Sequence, residues 1–140
     1  MARNSYLDSL AKVQLFSSMS KRDLQKIAKA SDEVDVPEGK VLVEQESRGR
    51  EAFVIVAGEA TVKRNGRKVA TFGPGDHFGE LALLDGGPRT ATVIAATPMT
   101  VLVIGQREFA GVLDEVPGLA HKVMGSLAAT IRQLDQKAYG

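Results

Sequence analysis

The chain has 140 residues, room for one domain with its own core and hardly for two. Its 44% hydrophobic and 25% charged residues are the proportions of an ordinary globular protein. Eighteen basic against seventeen acidic residues leave a net charge of +1, which calls for neither nucleic acid nor an anionic membrane as partner, and the lack of cysteine excludes a disulfide framework and a thiolate metal site.

Residues from about Tyr6 to Ala30 read as helical. Leu7, Leu10 and Ala11 fall at helical spacing, then Leu15-Phe16 interrupts. Ser20-Lys21-Arg22-Asp23 offers an N-cap with an acid three residues on, ahead of Leu24, Ile27 and Ala28 on one face. This segment is expected to cap one end of the domain. Met1 to Lys12 lacks the continuous apolar run of a secretory signal, and no run approaches the length of a membrane span, so a cytoplasmic protein is expected.

From Glu33 the apolar period changes to two and glycine becomes frequent, the pattern of short strands joined by turns. Val34 and Val36 alternate before Pro37-Glu38-Gly39, and Val41 to Glu44 forms a second run. Ala52 to Ala57 is nearly all apolar and predicts a strand buried on both faces. Ala60 to Arg64 and Lys68 to Phe72 flank Asn65-Gly66, a pair that tolerates the positive φ of a type I′ hairpin turn. Gly73-Pro74-Gly75-Asp76 is a further turn, and Thr90 to Ala95 and Met99 to Ile104 are two more strands. The spacing predicts about eight short strands in an antiparallel barrel or roll. Helical spacing returns in Arg107 to Leu113, with Phe109, Val112 and Leu113 on one side. Pro117-Gly118 then breaks the chain before a final helix from about Leu119 to Lys137, whose stripe is Leu119, Val123, Leu127, Ile131 and Leu134.

The stretch Phe78 to Ile94, FGELALLDGGPRTATVI, concentrates the chemistry. A short helix starting near Glu80 would present free backbone N–H groups and the positive end of its dipole to an anion. Arg89 can return across the turn to the same point, where its planar guanidinium would grip phosphate oxygens in a fork. Glu80 repels phosphate but is suited to accept hydrogen bonds from a ribose hydroxyl. Phosphate and ribose together make a nucleotide. Each residue also has a plainer explanation: Arg89 as a surface arginine, Glu80 as a first-turn acid on a helix dipole, Gly79 as a turn glycine, Leu81 and Ala82 as core.

Phe78-Gly79-Glu80, Ala82-Leu83 and Arg89-Thr90-Ala91, in that order and spacing, resemble the phosphate-binding cassette of the cyclic nucleotide-binding domain family. The resemblance runs from about Leu10 to the last helix. It implies an α+β single domain over residues 1–140: an N-terminal helical segment (1–31), an eight-stranded antiparallel β-roll of jelly-roll type (32–105) holding the cassette (78–92), and two C-terminal helices (106–140). It implies a ligand, cyclic AMP ahead of cyclic GMP, bound by Gly79, Glu80, Leu81, Ala82, Arg89, Thr90 and Ala91, with the amides of Leu81 and Ala82 completing the anion site. Thr90 does not by itself settle the base. Phe109 would mark a hinge, and Leu127, Ile131 and Leu134 are candidates to cover the base, although core or dimer packing explains any one of them as well. Glu46, after Gln45, departs from the family pattern, which commonly has glycine there.

An enzyme of the metal-dependent roll type would need a cluster of histidines, and His121 lies far from His77 in sequence. No phosphate-loop, dinucleotide or serine-nucleophile signature is present, so no catalysis and no cofactor are expected. A ligand-free interaction module is the alternative, though retention of both Glu80 and Arg89 speaks against it. The last helix makes a homodimer or an effector outside this chain the expected partner. No recognition helix follows it and no basic stripe is present, so DNA binding by this chain is not expected.

Overall fold

The computed structural model describes residues 6–139; residues 1–5 of the expected N-terminal segment, and Gly140, lie outside the described residues. Helix α1 (Leu7–Ala11) and a 3-10 turn (Gln14–Phe16) precede α2 (Lys21–Lys29). A capping box starts α2: the Asp23 N–H donates to Ser20 Oγ at 3.1 Å, and the Ser20 N–H donates to Asp23 Oδ2 at 3.0 Å.

Strands β1 (Asp32–Val36), β2 (Val41–Val43), β3 (Glu51–Ala57), β4 (Ala60–Arg64), β5 (Arg67–Phe72) and β6 (His77–Phe78) follow. The single-turn helix α3 (Ala82–Asp85) then leads to β7 (Thr92–Ala95), β8 (Met99–Gly105), α4 (Gln106–Glu115) and α5 (Leu119–Tyr139). The strands form two antiparallel sheets, ordered β1-β8-β3-β6 and β2-β7-β4-β5. This is the expected α+β architecture, an eight-stranded β-roll with helices before and after it.

Why β3 is apolar throughout follows from the two cores it separates. Ala52 and Val54 face a helical core that includes Leu10, Phe16, Ile27, Phe109, Leu119 and Val123. Phe53 and Ile55 face the interior of the roll, with Val43, Val62, Phe78 and Val93. Its neighbour β8 alternates in the same way, Leu102 and Ile104 toward the helices and Val101 into the roll. A one-residue slip would exchange the two sets, so the register is firmly specified.

Among the described residues, two turns have non-glycine residues at positive φ. Asn65 (φ 55°) and Gly66 (φ 79°) make the expected hairpin turn between β4 and β5. Glu46 (φ 71°) occupies the position at which the sequence departs from the family pattern, and the backbone there is indeed left-handed. For a residue with a side chain that conformation costs about 1–2 kcal/mol. Its N–H donates to the Arg89 carbonyl at 2.8 Å, so the strain sits at a contact with the cassette.

The first half of α5 rests on the N-terminal helices. Leu119 and Val123 are buried, Ser126 Oγ lies 3.1 Å from both Ser17 Oγ and Ser18 Oγ, and Lys122 Nζ bonds Asp23 Oδ2 at 2.8 Å. That hydrogen bond from Lys122 is the main reason the Asp23 carboxyl sits below its ordinary range; burial opposes it and the Ser20 bonds reinforce it. A depressed folded pKa stabilises the fold above the unfolded carboxyl value, about 3.9, and the contribution is lost as pH falls through the folded value. Urea unfolding followed from pH 7 to pH 3 should show the midpoint falling on the acid side of about pH 4. Asp23→Asn should be less stable at pH 7 and show a shallower acid limb.

Candidate functional site

The site begins where β6 ends. Gly79 turns the chain at φ +81°, and a Cβ built on it would lie 2.5 Å from Arg89 Nη1 and 3.0 Å from the Glu51 carbonyl oxygen. Only glycine lets the backbone pass this close to the guanidinium. The Ala82 N–H donates to the Gly79 carbonyl and the Leu83 N–H to the Glu80 carbonyl, each at 3.1 Å, which winds the first turn of α3. The Glu80 and Leu81 N–H groups make no backbone hydrogen bond among the described residues, as expected at a helix start. Gly86, left-handed at φ 62°, ends the turn by donating to the Ala82 carbonyl at 3.0 Å.

The chain then doubles back against the loop between β2 and β3. Gly49 N–H donates to the Gly87 carbonyl at 3.1 Å, and Arg89 N–H to the Ser47 carbonyl at 2.7 Å. These bonds fix the backbone of Arg89 from both sides. Its guanidinium passes between two glycines, because a Cβ on Gly49 would overlap Arg89 Cζ and Nε just as one on Gly79 would meet Nη1. Arg89 Cζ also lies over the Phe53 ring, 5.9 Å from its centroid.

Burial pushes the Arg89 guanidinium below its ordinary pKa, while the Glu51 carboxylate draws it back up. Arg89 Nη1 is buried and has no hydrogen-bond partner among the described residues. An unsatisfied buried donor costs about 1–3 kcal/mol, more when charged, and an anionic acceptor at this atom would relieve that cost.

One cleft of about 320 Å³ gathers all seven expected ligand residues: Gly79, Glu80, Leu81, Ala82, Arg89, Thr90 and Ala91. Its remaining walls include the apolar Val43, Val62, Phe72, Phe78 and Val93. The cleft therefore has a cationic, amide-lined portion and an apolar one. Ala82 is buried, Leu81 is 59% exposed, and Glu80 is half-buried with Oε1 3.9 Å from His77 Nε2.

The other expected residues lie elsewhere. Phe109 is buried in the helical core, its ring centroid 5.8 Å from that of Phe16. Leu127 packs half-buried on the same core, and Ile131 and Leu134 are 65% and 61% exposed. None of the four lines the cleft. Four residues near Arg89 or the cleft carry no local sequence signal of it: Gly49, Glu51, Phe53 and Arg64. Gly49 lies in an ordinary loop sequence, Ser47-Arg48-Gly49-Arg50, and Phe53 in a strand whose apolar run hides which side chains face the site. Among the described residues no group of three His, Cys, Asp or Glu side chains could hold a metal ion.

The protein is thus an eight-stranded roll that sets a one-turn helix and a half-buried arginine on one cleft. The family model described as "Cyclic nucleotide-binding domain" matches residues 33–116, more than half of the chain, and the chain belongs to that family. It is 34% identical over 122 residues to the cAMP-dependent protein kinase regulatory subunit of Aspergillus niger, across 86% of this chain and 30% of that relative. The chain thus spans less than a third of the length of such relatives. Among solved structures, the N-terminal domain of a transcriptional regulator from Streptomyces coelicolor A3(2) superposes with TM-score 0.84 at 27% identity, over 93% of this chain and 94% of that one. The Catabolite Activator Protein of Thermus thermophilus gives TM-score 0.70 at 25% identity, over 89% and 61% of the two chains.

The two glycines beside Arg89 should respond differently to a methyl group. Gly79→Ala combines the clash with a left-handed backbone and should destabilise the fold by at least about 1–2 kcal/mol in urea titrations. Gly49 has no positive φ, so Gly49→Ala should unfold closer to the parent while shifting the Arg89 Nε–H resonance in a ¹⁵N-resolved spectrum. An unmoved Arg89 resonance in Gly49→Ala would mean that this glycine does not hold the guanidinium.

Proposed function

We propose that this domain binds a cyclic nucleotide reversibly, cyclic AMP ahead of cyclic GMP, and acts as a regulatory sensor without catalysis. The observation that carries this reading is the buried Arg89 Nη1, without a partner among the described residues, on an arginine that lines the same cleft as Glu80. In this reading Arg89 grips the cyclic phosphate and the free Leu81 N–H at the start of α3 contributes to the anion site, which the Ala82 N–H, bonded here to the Gly79 carbonyl, joins only by giving up that bond. Glu80 accepts from the ribose hydroxyl. Thr90 and Ala91 border the phosphate, and the apolar walls receive the base. Cyclic AMP is favoured because the curated relatives carry that ligand in their names.

The helices would supply the output. α3 packs on α4, and Leu83 of α3 shares the helical core with Phe109. Movement of α3 toward a bound phosphate would therefore relieve a clash or open a space near Phe109, let α5 reposition and bring Leu127, Ile131 or Leu134 toward the base. The ligand can shift this balance only by its preference for one arrangement. The domain would work as a single unit: residues 32–105 as roll, 78–92 as cassette, and the segments before and after as moving helices. Its effect would reach a second copy through α5 or an effector outside this chain, in the cytoplasm and without DNA contact by these residues. Among the described residues no helix is long and apolar enough to cross a membrane.

Calorimetric titration with cyclic AMP, cyclic GMP and linear AMP tests the ligand assignment. One cyclic nucleotide should bind well ahead of linear AMP. Arg89→Ala should weaken that binding by about 2–5 kcal/mol, the range for removing one partner of a buried charged pair. Glu80→Ala should cost about 1–3 kcal/mol, the range for hydrogen bonds to a charged group. Equal affinity in the parent and Arg89→Ala would sink the phosphate assignment. Absence of binding to all three nucleotides would favour an interaction module.

A further inference from the structure

A second arginine stands in the same cleft. Arg64 ends β4, and strand alternation puts it on the face of Val62, whose side chain is buried inside the roll. It lines the cleft together with Val62 and Phe72. Its Nε donates to the Thr90 carbonyl at 3.1 Å, which fixes one edge of the guanidinium. The two Nη groups make no hydrogen bond or ion pair among the described residues.

The hairpin that carries Arg64 is itself tied down. Asn65 N–H donates to Gln45 Oε1 at 2.8 Å, and Gln45 Nε2 donates to Asn65 Oδ1 at 2.9 Å. Gln45 adjoins Glu46, whose N–H holds the Arg89 carbonyl at 2.8 Å. Both arginines are therefore referred to one rigid frame, and Arg64 is placed before any ligand arrives.

Their surroundings differ. Arg89 is half-buried with an unpartnered Nη1, whereas Arg64 is exposed and already committed through Nε to a carbonyl. A cyclic phosphodiester carries one negative charge, which Arg89 matches. What remains for Arg64 is the base. A planar, weakly hydrated guanidinium offers its face to an aromatic ring, and such stacking accepts any base because every base has a π-face. None of the three candidate cover residues on α5 lines the cleft, so the flat cation on β4 is the planar, π-facing contact that the lining offers the base beside its apolar walls.

We propose that Arg64 is the base platform of the cleft, stacking its Nε-tethered guanidinium on the purine of the bound nucleotide. This rests on the reading of the cleft as a cyclic nucleotide site. It assigns affinity, not the choice between adenine and guanine, to Arg64.

The test compares the parent domain with Arg64→Ala and Arg64→Gln by calorimetry, using cyclic AMP, cyclic GMP and ribose 3′,5′-cyclic phosphate, which lacks a base. Both variants should bind both cyclic nucleotides about five- to thirty-fold more weakly, the span of an exposed to a desolvated cation–π contact. Binding of the base-free ligand should be unchanged. Parent-like affinity for cyclic AMP in both variants would overturn the proposal. So would an equal loss for the base-free ligand, which would make Arg64 a second phosphate charge. A loss confined to cyclic GMP would also overturn stacking, in favour of a paired contact to O6 and N7. Arg64→Gln keeps a polar side chain on the strand and decides the question if the alanine variant does not fold. Failure of the parent to bind any cyclic nucleotide would fell the underlying reading as well, and is distinct from parent-like binding by the variants.

Discussion

The half-buried Arg89 guanidinium is the constraint to which the rest of the site answers. A cation taken out of water needs compensation, and here it comes only in part, from the Phe53 ring and the Glu51 carboxylate, while Nη1 has no partner among the described residues. Its placement also dictates local sequence. Gly49 and Gly79 leave the guanidinium its place, since it occupies the space that a Cβ at either position would fill. The left-handed Glu46 is tolerated where its N–H can hold the Arg89 carbonyl. Strain at a single residue is stable only when its surroundings over-determine it, and the strand-like bonds between residues 46–49 and 87–89 do so.

A second feature follows from the alternation along β3 and β8. These strands form the partition between a roll interior that walls the cleft and a helical core that seats α4 and α5. The cassette spans the partition: Phe78 belongs to the roll interior, whereas Leu83, five residues on, belongs to the helical core. A short segment anchored in both cores is the natural place for coupling, since close-packed interiors transmit displacement instead of absorbing it. In the proposed mechanism this is how an event at a phosphate reaches Phe109.

α5 divides into two halves. Leu119, Val123 and Ser126 are buried against the N-terminal helices, and the Lys122–Asp23 bond adds a polar clasp. Beyond Leu127 the stripe is exposed at Ile131 and Leu134. The hydrophobic pattern of this helix is continuous, but its burial is not. A stripe that packs along half its length can serve a lid or a partner with the other half, and the proposed repositioning uses this division.

Much of the fold was written in local sequence. The change of period from 3.6 to 2 at Glu33, the Ser20–Asp23 cap, the Asn65-Gly66 turn and the break at Pro117-Gly118 each correspond to an observed element or boundary, because each is governed by backbone geometry within a few residues. The spacing from Gly79 to Ala91 likewise brought seven residues to one cleft, since a single-turn helix and a tight return leave the chain few other paths. The tertiary structure decided what depends on distant segments. It chose which side chains of the apolar β3 face the site, and it brought Gly49 and Glu51 to Arg89 and Arg64 to Thr90 across separations of about 25 to 40 residues. It also set how far the stripe of α5 is buried. Periodicity records that a face must be covered; only packing, which sums contacts from the whole chain, settles by what.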